Sequence, residues 1–381
     1  MNTSILRAFA LCGLVAMASA VWGADGDDAW PGALAESNAD ETDGPLAGSG
    51  EAKARAAEPV NPNLDKNARA VFDYLHSIYG KRVLAGMNGD RESAEAFEIS
   101  GKQPAIRNYD LCGWNDPTWG DAYTRNVQKT MDRAKASWEE GAIVTLTFHW
   151  KHPMKSDGSA WVEPPKGSGP FDVGKAITRG TPEHEAVMED LRRHGDYLQQ
   201  LKDADVPVLF RPLHEIDGGW FWWTDGETPE NTAGLYRLIF DYYVKERKLD
   251  NLIWVYNAGL KCAGAGRDVE AIELRKRFYP GDNYVDISGI DIYPNEYFGW
   301  PMPQESSYQR AFDIMRQVTP NKILAFSEGG GIPNPDMMAE EGEKWLYCLP
   351  WWADHPQNPP AWIEKTFNHP LMITLDELPK W

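Results

Sequence analysis

The chain has 381 residues and a formal net charge of −19. That balance repels phosphate backbones and argues against nucleic-acid binding, while leaving a neutral substrate open. Four cysteines occur without a CxxC pair or zinc-ligand spacing, so Cys12, Cys112, Cys262 and Cys348 are expected to be structural or removed, not metal ligands.

The N-terminus reads as an export signal over residues 1–20. Arg7 supplies the positive charge, 8–18 the apolar run, and Ala18-Ser19-Ala20 the small residues a signal peptidase needs. The run is shorter than the roughly 20 residues that span a bilayer. This reading predicts no membrane insertion and a secreted or periplasmic product. Residues 21–60 follow as an acidic linker. From Ala24 to Val60 nine acidic residues accompany two basic ones, with few large apolar side chains to pack.

From 61 to 381 short β-rich runs alternate with helix-like ones. A helix is expected over 64–79, then strands at 82–87 (RVLAGM) and 104–109 (PAIRNY). A helix over 123–140 precedes a third strand at 143–148 (IVTLTF), and one over 183–204 precedes a fourth at 206–210 (VPVLF). The fifth, at 252–256 (LIWVY), follows a helix over 232–247. Further strands fall at 285–290, 323–326 and 345–352, before a last helix at 359–367. The runs are continuous and apolar, as in strands covered on both faces. Eight of them alternating with helices predict an α/β fold, a single (β/α)8 TIM barrel domain. No GxGxxG follows the first strand, which argues against a dinucleotide-binding sheet.

Active sites of such barrels sit at the C-terminal strand ends. His149, Arg211, His214, Glu215, Asp291, Tyr293 and Glu328 all fall there. Glycoside hydrolysis needs two carboxyl groups flanking the scissile bond. Glu215, after strand four, and Glu328, after strand seven, face each other across a barrel mouth. A carboxyl separation of about 5–5.5 Å there means retention of configuration. Arg211 is placed to orient a carboxylate, and a poorly solvated Glu215 gains the raised pKa of an acid. The His-Glu pair does not extend to HExxH, because position 218 is Gly, so no metal and no cofactor are expected. Four consecutive aromatics, Trp220 to Trp223, follow the first carboxyl, and Trp351 and Trp352 follow the last strand. Flat rings bury the apolar faces of sugars, and some of these are expected to line a cleft.

RPLHEIDGGWFWW at 211–223, together with TFHW at 147–150, GIDIYP at 289–294 and SEGG at 327–330, resembles glycoside hydrolase family 26. The resemblance covers essentially all of 61–381. Members of that family are mostly endo-β-1,4-mannanases of retaining mechanism. The likeness therefore implies Glu215 as acid/base, Glu328 as nucleophile and β-mannan as the polysaccharide partner of a monomeric enzyme. The expected substrate-binding set is Asp110, His149, Trp150, Arg211, His214, Trp220, Asp291, Tyr293, Trp351 and Trp352. Asp217 departs from the Asn common in the family, and a charge there either raises the Glu215 pKa or points away. A mixed-linkage glucanase or xylanase on the same scaffold, or a non-catalytic carbohydrate-binding protein, are the alternatives.

Overall fold

The apolar runs become β1 (Val83–Asn88), β2 (Ile106–Asp110), β3 (Ile143–Thr147), β4 (Val208–Arg211), β5 (Leu252–Ala258), β6 (Ile287–Ile292), β7 (Ile323–Gly329) and β8 (Tyr347–Pro350). Each pairs in parallel with the next. β1 pairs with both β8 and β2, which closes the ring into the expected barrel. A two-residue β9 (Met372–Ile373) adds to the base of β1. The computed structural model describes residues 57–111, 127–155, 158–163, 167–259, 268–294, 300–342 and 344–381. The expected signal segment, the linker up to residue 56, Cys112, Cys262 and the start of the helix expected at 123 lie outside them. Cys348, on β8, is buried and free.

Helices fill every crossover. α2 (Gly89–Ser100) follows β1, α3 (Val127–Glu139) follows β2, and α4 (Val173–Ala176) with α5 (Pro182–Asp203) follows β3. α6 (Pro229–Phe240), α7 (Asp268–Phe278), α8 (Gln309–Val318), α9 (Pro335–Glu341) and α10 (Pro360–Phe367) follow β4 to β8 in turn. Local chemistry sets several starts. Thr181 accepts the His184 N–H ahead of Pro182 to open α5, satisfying an orphan amide while Pro supplies a helical φ. Among the described residues no helix is long and apolar enough to cross a membrane.

Strand parity divides the core. Trp254 and Tyr256 of β5 face outward, Trp254 against Tyr236 and Phe240 of α6 and Tyr256 against Tyr279. Ile253 and Val255 face inward with Leu84, Ile106, Ile143, Leu209 and Ile287. α1 (Lys66–Ile78) joins this inner cluster through Val71, Phe72 and Leu75. It lies at the N-terminal end of the barrel, where Asp65 N–H bonds the Asp250 carbonyl and the Asn67 side chain bonds that of Asp205. Val60 is tied there too, donating its N–H to Asp286 at 2.8 Å. The lumen is thus apolar and plugged below, leaving only its upper end for chemistry. Because Leu75 is buried in the plug, Leu75→Ala is expected to cost about 2–5 kcal/mol, read as a lowered midpoint in urea unfolding.

Candidate active site

At the upper end seven strands contribute one connected set of polar side chains. Asn108 of β2 donates to Asn88 of β1 at 2.8 Å, and Thr147 of β3 donates to Asn108 at 2.9 Å. Arg211 of β4 donates to Thr147, to Asn257 of β5 at 3.2 Å and to Asp291 of β6 at 3.3 Å. It reaches Glu328 of β7 at 3.0 Å. Asn257 and Ser327 each donate to Asp291 Oδ1 at 2.8 Å. Arg211 is 0% exposed, so its charge rests entirely on these partners.

Glu328 Oε1 accepts from Tyr293 at 2.8 Å while Oε2 takes the Arg211 bond. The register of β7 shifts against β8 between Phe326 and Gly329. Such a bulge re-aims a side chain, and here Ser327 and Glu328, although consecutive, both enter the lumen. The glycines around them are required. A Cβ on Gly289 would sit 2.4 Å from Ser327 Oγ, and one on Gly330 would strike Gln357.

Glu215 sits in the turn after β4, with a left-handed φ of 48°. The conformation is unusual for a residue with a Cβ. It is held by the Glu215 N–H on Asn257 Oδ1 (3.2 Å), the Ile216 N–H on the Asn257 carbonyl (3.0 Å) and the Gly218 N–H on the Glu215 carbonyl (2.8 Å). Its Oε2 accepts from the Trp220 indole at 2.6 Å. One carboxylate oxygen each from Glu215, Asp291 and Glu328 lie within 4.8 Å of one another. Burial first, then the like charges of Asp291 and Glu328, push the Glu215 carboxyl well above its ordinary range. Burial and Glu328 push Asp291 up to about 8, against the opposing pull of Arg211.

Beside this cluster Asp110 Oδ1 accepts the His149 backbone N–H at 3.1 Å and Oδ2 meets His149 Nδ1. His149 Nε2 lies 3.2 Å from His214 Nε2. Burial, reinforced by His149 and Arg211, holds the His214 imidazole well below its usual pKa, so it is neutral. Trp352 is half-buried, stacked on His355 and edge-on to Tyr293, while the nearly buried Trp351 meets His149 edge-on.

Two expectations are corrected. Trp150 does not face the cleft: it is 0% exposed and gives its indole N–H to Asp190 of α5 at 2.9 Å. Parity is the reason, since His149 points to the mouth and its neighbour must point outward. Arg211 orients carboxylates as expected, but it is fully buried and so does not touch a sugar in the cleft. The aromatic run divides as expected, with Trp220 on the cleft and Phe221, Trp222 and Trp223 in the core. Asn257 and Ser327 were missed, although both directly follow expected strands and the strand-end rule would have found them.

Residues 60–377 match the family model described as glycosyl hydrolase family 26. The chain belongs to that family. A mannan endo-1,4-β-mannosidase of Thermothelomyces thermophilus is 30% identical over 330 residues, covering 84% of this chain and 63% of its own length. One from Bacillus subtilis (strain 168) is 32% identical, covering 73% of this chain and 75% of its own. The fold is similar to the crystal structure of a β-mannanase from a symbiotic protist of the termite Reticulitermes speratus, complexed with gluco-manno-oligosaccharide. That likeness has a TM-score of 0.72 at 30% identity and covers 85% of this chain and 98% of that one. The chain spans between 50% and 63% of the length of several curated relatives it matches.

Within this family 26 chain, the departure at Asp217 resolves as a buried ion pair. Asp217 lies 2.9 Å from Arg275 Nε and accepts the Gly259 N–H at 2.6 Å, directed away from the Glu215 carboxyl. Both partners are buried. Arg275→Met is therefore expected to strand a charge and cost about 3–5 kcal/mol, seen in urea unfolding at neutral pH.

Proposed function

We propose that this chain is an endo-acting β-1,4-mannanase working by double displacement, with Glu328 as nucleophile and Glu215 as acid/base. The observation that carries the reading is the pair of carboxyls whose oxygens lie within 4.8 Å. That spacing suits the short separation of retaining enzymes, about 5–5.5 Å, and leaves no room for the interposed water of inverting ones, which need about 6.5–9.5 Å. The relatives whose names describe mannan hydrolysis support β-mannan as the substrate.

The two carboxyls differ in the way the reaction requires. Glu328 receives two donors, Arg211 and Tyr293, which aim its oxygens. It attacks the anomeric carbon as Glu215 gives its proton to the leaving oxygen. Glu215 then takes a proton from water, which displaces the sugar from Glu328. Trp220, bonded to Glu215, offers a ring beside the leaving group, and Trp352 and Tyr293 offer another surface across the site.

Reducing-sugar release from linear β-mannan, barley β-glucan and xylan tests the substrate. Release from mannan alone is expected, and cleavage of glucan or xylan without mannan overturns that assignment. Glu328→Ala and Glu215→Ala are each expected to lower kcat/KM on mannan by at least about 100-fold. Near wild-type rates in both would falsify the pair.

The raised pKa of Glu215 fixes the sign of the pH dependence. Cleavage needs its proton, so kcat/KM is expected to fall as pH rises through that pKa. The Trp220 bond favours the ionised carboxyl and holds the pKa down. Trp220→Phe is accordingly expected to move the alkaline limb of the kcat/KM profile to higher pH. A shift to lower pH contradicts the assigned proton.

A further inference from the structure

We propose that Asp110 is a positioning residue for the acid/base, holding the turn that carries Glu215 through His149 and His214. The inference rests on the reading of Glu215 given above. Asp110 ends β2, His149 follows β3 and His214 lies in the turn after β4, so the three bridge neighbouring strands at the level of the site. The two oxygens of Asp110 take two N–H groups of one residue, the backbone and ring Nδ1 of His149. Accepting both fixes the ring against its own backbone and places a proton on Nδ1.

His149 Nε2 is then directed at His214 Nε2, 3.2 Å away, with the rings edge-on and their centroids 4.3 Å apart. Both ring nitrogens of His149 are engaged, so its role is to connect and not to grip a sugar hydroxyl. His214 is 1% exposed, and its carbonyl accepts the Trp223 indole at 3.2 Å. Its ring and its backbone are thus held from opposite ends. The next residue is Glu215 in its left-handed conformation, where a small rotation displaces the carboxyl from the leaving oxygen.

Asp110→Asn is the discriminating change. An amide has one acceptor end, so whichever way it flips it presents NH2 to one of the two His149 N–H groups. Relief requires the His149 ring to turn or its proton to move to Nε2, which disturbs the contact with His214. The experiment compares kcat/KM on β-mannan with kcat/KM on 2,4-dinitrophenyl β-mannobioside, whose leaving group needs no proton. A loss of about 100-fold on mannan, the scale of a misplaced catalytic group, with near wild-type kcat/KM on the dinitrophenyl substrate, is expected. Equal losses on both substrates place Asp110 in sugar binding and overturn the proposal, as does no loss on either. Glu215→Ala run alongside separates the two readings: if it too loses equally on both substrates, the acid/base assignment fails and not the role of Asp110. His149→Phe, which keeps a ring without its nitrogens, is expected to show the same leaving-group dependence and decides the matter if Asp110→Asn does not fold.

Discussion

The site is organised around one buried guanidinium. Moving a charge of that size out of water costs several kcal/mol even after the surroundings relax, and Arg211 is wholly enclosed. Its cost is offset only by close anionic and polar partners, which the barrel supplies from β3, β5, β6 and β7. The dependence is mutual. Asp291 and Glu328 are also buried, and neither would tolerate that burial without Arg211. The apolar lower lumen with its helical plug makes the arrangement possible, since it keeps water out from below and concentrates all polar demand in one layer.

Charge balance in that layer follows from elementary electrostatics. Three carboxyls share one guanidinium, and with all three ionised the cluster would carry a net charge of two negatives in a poorly screened space. Burial and mutual repulsion drive Glu215 and Asp291 toward their protonated forms. Among the described residues Arg211 and Tyr293 donate to Glu328, Arg211, Asn257 and Ser327 to Asp291, and the Trp220 indole to Glu215. One buried layer thus brings oxygens of Glu215 and Glu328 within 4.8 Å of each other, the short spacing on which the proposed retaining chemistry rests.

Much of this was legible in the sequence because polar residues interrupt apolar runs only where strands end. RPLHE after β4, GIDIYP through the end of β6 and SEGG through the end of β7 each break a hydrophobic stretch with charge, and no core explains that. Asn108 and Thr147 escaped notice because they lie inside expected strands, where a neutral polar residue causes no such break and reads as ordinary strand. Trp150 was misassigned because composition reveals how many aromatics a segment holds but not which way each points; parity along TFHW settles it. The helices α2 and α7 went unread for a different reason. α2 buries only Ser93 and Ala96, and α7 is mostly charged, so neither carries the apolar stripe by which a helix is recognised.

The two key carboxyls are fixed by different mechanical means, and the difference matters for how the site is held. Glu328 lies within a strand, where a bulge aims it and close packing leaves no room for a Cβ at Gly289, Gly329, Gly330 or Gly331 without displacement. Glu215 lies in a turn, in a conformation that costs about 1–3 kcal/mol for a residue with a side chain. That strain persists only because the surroundings over-determine it. Asn257 holds the turn from β5, Trp223 grips the preceding carbonyl, and Gly259 leaves room that a Cβ would fill at 3.2 Å from the Glu215 side chain. Glu328 is thus set by the sheet itself, while Glu215 is set by its neighbours. A substitution outside the cluster therefore reaches Glu215 more readily than Glu328, because the Asn257 brace on its turn comes from another strand.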